Sequence, residues 1–178
     1  MATSMTLIAS STVGIGGSAS IDFTSIPGTY TDLYIKWSAR QDLNTTAASD
    51  FIYINGVQSS YAHRRIEGNG ASPYSGLYSG NFSFASADGQ GASSTANTFA
   101  NAEMYFPNYT SSKYKSFSVD SVMENNATTA WAELDSNIWS NTAAITRLTL
   151  STSATNVTGG AQKYLQYSTA YLYGIKNS

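Results

Sequence analysis

An all-β, antiparallel two-sheet sandwich of jelly-roll type, carrying long polar surface loops, is the fold this sequence predicts. Three observations predict it. Apolar and polar residues alternate with period two in run after run, which is the signature of half-buried strands. The runs recur at roughly 10–15-residue spacing and are punctuated by turn pairs such as Asn55-Gly56 and Pro107-Asn108. About a third of the chain is Ser, Thr or Asn, and 13 Tyr, 7 Phe and 3 Trp are threaded through it, a composition that favours pleated sheet over long helices.

Taken in order, Met5–Ser11 and Ala19–Phe23 read as short strands around the glycine-rich Val13–Ser18 (VGIGGS). In Tyr30–Gln41, Leu33, Ile35, Trp37 and Ala39 share one face, while Tyr34, Lys36, Ser38 and Arg40 share the other. Asp50–Asn55 is a more uniformly apolar strand, and Asn55-Gly56 is expected to turn it back into a hairpin with Ser60–Ile66. Gly68–Gly80 and Ser86–Asn97 have the Gly, Ser and Ala content of surface loops.

Thr98–Phe106 and Tyr114–Met123 are further strands, as are Thr128–Leu134 and Ala144–Ser151. Thr128–Asn137 is the one segment where a helix competes, because Ala-Trp-Ala-Glu-Leu has fair helix propensity. The closing strand is Tyr164–Ile175, with Leu165, Tyr167, Thr169, Tyr171, Tyr173 and Ile175 on one side. The whole of 1–178 is read as one domain, with 1–18 as a contact arm. That length suffices to bury roughly two-thirds of the unfolded surface.

Composition narrows the chemistry. Nine Lys+Arg against eleven Asp+Glu give a net charge of −2, and the cations are scattered, so no nucleic-acid partner is expected. No apolar stretch approaches the roughly 18–20 residues of a spanning helix, so no membrane partner is expected either. Met1–Met5 lacks a positive leader region and no secretory signal is expected. Cysteine is absent, which leaves the redox compartment unread. The sequons at Asn44, Asn81, Asn108, Asn126 and Asn156 match what this composition produces by chance.

Catalytic constellations are scarce, and the chain is read as a non-enzyme without a cofactor. His63 is the single histidine; no Gly-X-Ser-X-Gly elbow accompanies it, and its strand-like run makes a partly exposed strand histidine the expectation. A zinc site would need carboxylates for nearly every ligand. The glycines at 14, 16 and 17 lead into another strand rather than a helix, so a hairpin turn is preferred over a phosphate cradle. Asp120, Glu124, Glu133 and Asp135 are the candidates for a hydrolytic acid pair or a loose Ca²⁺ site; solvated strand ends are the plainer reading.

The aromatics point to contact surfaces. Trp37 shares the phase of Leu33 and Ile35 and is assigned to the core; Trp131 and Trp139 fit either core or a stacking platform. Tyr34, Tyr53, Tyr171 and Tyr173 fall on outward phases, and Tyr74, Tyr78 and Phe82 offer an outward aromatic cluster beside the polar loops. These seven are the candidate partner-contact residues, since Tyr combines apolar area with a polar tip. They suit protein or sugar equally.

Four stretches carry a more specific signal: Ile8–Asp32 (IASSTVGIGGSASIDFTSIPGTYTD), Phe106–Trp131, Trp139–Thr146 (WSNTAAIT) and Gln166–Ser178 (QYSTAYLYGIKNS). Their wording resembles small virion structural proteins of tailed bacteriophages of marine bacteria. The resemblance covers somewhat under half the chain and leaves Asn44–Ala102 as the varying middle. It implies a β-sandwich displayed on the surface of the phage particle, with no catalytic motif to carry over. Two placements follow. One is a capsid decoration (cement) protein bound to the major capsid protein or other virion proteins, as a homo-oligomer with a trimer favoured. The other is a tail or fibre appendage that binds a host glycan.

Overall fold

The computed structural model describes residues 4–82 and 85–177, and none of these is helical. Twelve strands form: β1 (Ser4–Thr12), β2 (Ser20–Phe23), β3 (Asp32–Ala39), β4 (Ala47–Ile54), β5 (Tyr61–Gly68), β6 (Pro73–Phe82), β7 (Ala85–Gln90), β8 (Ala100–Phe106), β9 (Lys115–Glu124), β10 (Ala130–Trp139), β11 (Leu148–Ser151) and β12 (Thr169–Lys176). They build an eight-stranded sheet, β1-β12-β3-β8-β9-β10-β5-β6, packed on a four-stranded sheet, β2-β11-β4-β7. Every named pairing is antiparallel.

The strand order contains a jelly roll. β1-β12-β3-β8 faces β2-β11-β4-β7, and the chain crosses between these two quartets at each step. Two hairpins are spliced in: β5-β6 between β4 and β7, and β9-β10 between β8 and β11. Both join the large sheet, side by side, and extend it as a four-stranded wing, β9-β10-β5-β6.

The core of the jelly roll is apolar, and in β3 it comes from the predicted inward phase. Leu33, Ile35 and Trp37 of β3, Met104 and Phe106 of β8, and Leu172 of β12 meet Ile21, Phe23, Ile52, Ile54, Leu148 and Leu150 of the small sheet. The assignment of Trp37 to the core holds: it is buried, and its Nε1 donates to Asp50 Oδ2 at 2.7 Å. Gln41 Nε2 donates to Asp50 Oδ1 at 2.8 Å. Burial lifts the Asp50 carboxyl to about 6, even with those two donors pulling it down.

Several expectations are corrected. β4 does not form a hairpin with β5; it lies between β11 and β7 while β5 pairs with β10 and β6. Asn55 and Gly56 do turn, with φ of 54° and 70°, but the turn carries the chain from one sheet to the other. The VGIGGS stretch likewise joins strands of different sheets, β1 and β2, rather than closing a hairpin. Turn chemistry sets a bend, and burial on both sides of β4 sets the partners. Thr128–Asn137 is strand β10, because two neighbouring ladders outweigh helix propensities of a few tenths of a kcal/mol per residue. Tyr164–Ile175 shortens to Thr169–Lys176, since Tyr167 adopts φ 74°.

The two expected loops are largely built into the fold. Gly68–Gly80 contains most of β6, and Ser86–Asn97 begins in β7. Beyond β7 the chain is tied by Arg40, whose guanidinium donates to the carbonyls of Ala92, Ser94, Thr95 and Thr98 at 2.8–3.0 Å. The expected arm at 1–18 is, from Ser4 to Thr12, an edge strand hydrogen-bonded to β12; Met1–Thr3 lie outside the described residues.

Candidate functional site

Within the wing, β5 and β10 reverse the polarity of the jelly roll over their middle residues. In β9, β10, β5 and β6 the aliphatic side chains at Val122, Leu134, Ile66 and Leu77 face outward, at 44%, 52%, 64% and 61% exposure. Leu134 sits directly opposite Ile66 across the β10–β5 ladder, and Leu77 is opposite Arg64 on the far side of β5. Side chains on one face of neighbouring strands lie within contact range, so the four form one patch. Contiguous apolar surface of this kind is uncommon on a protein that stays alone.

The same face continues across the large sheet as a phenol-rich band. Tyr34 of β3 pairs with Tyr173 of β12 and Tyr105 of β8. The Tyr34 and Tyr173 rings are 6.3 Å apart, Lys36 lies 5.9 Å above the Tyr173 ring, and Tyr171 is opposite Lys36. Tyr34 donates to Glu103, and Tyr105 donates to Asp32 at 2.7 Å. Three of the seven predicted contact residues, Tyr34, Tyr171 and Tyr173, are thus brought onto one face.

The other four divide differently. Tyr53 is a correction: it is buried, and its hydroxyl donates to the Ser153 carbonyl at 2.8 Å. Its phase is outward from the small sheet, but the chain after β11 covers that face. Tyr74 is exposed on β6, opposite Glu67 and therefore on the opposite side of the wing from Leu77. Tyr78 and Phe82 belong to β6 by backbone; their side chains lie outside the described part.

Inward, β9 buries Phe117, Val119 and Met123, whereas the middle of the β5–β10 pair is charged. His63, Arg65 and Glu67 of β5 meet Glu133, Asp135 and Asn137 of β10 across the ladder. His63 is not partly exposed as expected: it is buried, with Nδ1 2.9 Å from Asp135 Oδ2. Arg65 reaches Glu67 at 3.0 Å, Glu133 at 2.9 Å and Asp135 at 3.5 Å. Asp88 arrives from β7, whose backbone at that residue is held by the Ser121 hydroxyl at 3.0 Å. Four carboxylates therefore surround one guanidinium. Burial first, and then Asp88 and Asp135, pushes the Glu133 carboxyl far above the ordinary range; burial raises Asp88 as well.

This cluster opens into a cleft of about 370 Å³ between the wing and the β4–β7 edge, lined by Gln41, Ser49, Phe51, Arg65, Glu67, Asp88 and Trp131 among others. The predicted acid set is split by strand phase. Asp120 and Glu124 are exposed on the outer face, whereas Glu133 and Asp135 are buried inside. Glu67 and Asp88 replace the first two as neighbours of Glu133, within 4.8 Å. No protein-family model and no curated protein matches the chain.

Proposed function

We propose that the protein is a structural protein of a tailed-bacteriophage virion, docked on the outside of the head lattice as a decoration protein. The observation that carries the reading is the outer face of the wing. Its aliphatic patch, continuous with the Tyr34–Tyr173 band and interspersed with Arg64, Lys36, Glu103 and Asp120, is a mixed apolar and polar surface suited to docking by shape and hydrogen bonding. The likeness of the chain's two ends to virion proteins supports the phage setting. The partner is the major capsid protein, and copies associate with one another, as a trimer, through the open edges β1 and β6.

The deciding experiment is quantitative mass spectrometry of purified particles, with Leu134→Lys beside the wild type. A ratio to the major capsid protein of about one-to-one or one-to-three is expected for a lattice decoration. Leu134→Lys should fold and yet be lost from particles. A handful of copies per particle moves the protein to the tail; absence from particles overturns the reading.

The charged cleft favours a second reading, a glycan-binding tail or fibre appendage. Phe51 and Trp131 offer apolar faces beside the polar Gln41, Arg65, Glu67 and Asp88, the pairing that sugar rings use. A glycan-array screen separates the two, since a decoration protein shows no sugar preference.

A further inference from the structure

We infer that Glu67, Asp88 and Glu133 form a binding site for a hard divalent cation of the Ca²⁺ class, at the seam between the wing and β7. Each contributes one oxygen, and these oxygens lie within 4.8 Å of one another. Three oxygens with that spacing lie within about 2.8 Å of a common point, so side-chain shifts of a few tenths of an ångström bring all three to the roughly 2.4 Å of a Ca²⁺–oxygen bond. Mg²⁺ prefers about 2.1 Å and a tighter octahedron, and zinc prefers nitrogen or sulfur ligands, which the trio lacks.

A second observation is independent of the clustering. Glu133 is 4% exposed; its Oε1 is met by Arg65, but among the described residues no donor reaches its Oε2 or Asp88 Oδ2. Arg65 meets Glu133 Oε1 as an ion pair at 2.9 Å and Glu67 Oε2 at 3.0 Å. One guanidinium cannot neutralise four carboxylates, and buried acceptors without donors are costly. A cation held between Glu67, Asp88 and Glu133 resolves both deficits. Glu67 and Asp88 also line the open cleft, which gives the ion an entry path and water for the remainder of its shell.

The ion would join two elements that the chain connects only remotely, β7 of the small sheet and the β10–β5 ladder of the wing. Its effect is therefore on the stability of the seam.

The test uses the full chain stripped with EDTA and titrated with CaCl₂ alone, by calorimetry and by thermal unfolding. Tb³⁺ luminescence excited through tryptophan serves as a probe of position, because Trp131 lines the same cleft. One ion per chain is expected, with the midpoint rising by several degrees once Ca²⁺ exceeds its Kd about a hundredfold. Glu133→Gln removes one ligand charge and one like-charge repulsion together. It should unfold at an equal or higher temperature in EDTA, yet lose at least tenfold in Ca²⁺ affinity and most of the Tb³⁺ signal. Asp88→Asn should do the same. If Glu133 and Asp88 instead share a proton, Ca²⁺ leaves the midpoint of the wild type unmoved, and the inference fails. It fails equally if Glu133→Gln binds Ca²⁺ as the wild type does.

Discussion

The jelly roll and the β5–β10 pair of the wing are built on the same alternation and arrive at different polarities. In β3 the inward set is Leu33, Ile35, Trp37 and Ala39, all buried, with Lys36 outward. In β5 the inward set is Tyr61, His63, Arg65 and Glu67, and the aliphatic Ile66 is outward. β10 repeats this, with Glu133, Asp135 and Asn137 inside and Leu134 outside. Both regions satisfy their backbones through antiparallel ladders. The jelly roll is held by apolar burial throughout; the wing shares that core through Tyr61, Phe117, Val119 and Trp139 and, where β5 and β10 pair beyond them, closes around ion pairs. The lesson is that period two reports a strand and its two faces, while the identity of the inner face depends on what lies opposite.

Four substitutions break or sharpen that contrast. The largest effect belongs to Trp37→Ala, which removes one of the largest core side chains and the donor to Asp50 Oδ2. It should cost about 3–5 kcal/mol by urea unfolding. Arg65→Ala tests the wing by the corresponding cut. Removing the cation that three carboxylates share should destabilise by about 3 kcal/mol in EDTA, mostly through uncompensated buried charge. A loss under about 1 kcal/mol would mean the carboxylates are already neutral.

The third concerns pH and the jelly-roll side. Asp50 titrates at about 6 in the folded protein against an ordinary value of 3.8. For an acid whose folded value is raised, the folded state holds the extra proton, so stability is greatest below pH 4 and falls as pH rises to about 6. The gap between the folded and ordinary values corresponds to about 3 kcal/mol. Asp50→Asn, measured alongside by urea midpoints from pH 4 to 7, should show a flatter profile even where its absolute stability is lower. Equal slopes would remove Asp50 as the cause.

The smallest effect is expected at the wing's outer face. Leu134→Ser should change stability by less than about 0.5 kcal/mol in the isolated chain, since half of the side chain is already in water. A cost above about 2 kcal/mol would show that the outer face is packed like a core.

Much of the architecture is legible in the residues. Alternation in Tyr30–Gln41 and Tyr114–Met123 places their strands and faces, and Trp37 can be put inside on phase alone. The charged site is partly legible too: His63, Arg65 and Glu67 occupy every second position, and so do Glu133, Asp135 and Asn137. Two polar sets of the same period, each beside an outward aliphatic, hint at strands that pair through their charges. What hid the site was Asp88, which sits in a Gly/Ser/Ala-rich stretch that reads as loop and becomes β7 only by pairing with β4.

Residue types and their period by themselves determined that this chain pairs strands and buries Trp37. Those properties are local, because each strand's faces follow from its own side chains. Only the tertiary structure decided the rest: that the turn at Asn55-Gly56 changes sheets, that Tyr53 lies beneath the chain after β11, and that Glu67, Asp88 and Glu133 converge. These depend on which strands become neighbours. Strand partnership is settled by the joint burial of both sheets, a long-range quantity that no window of sequence contains.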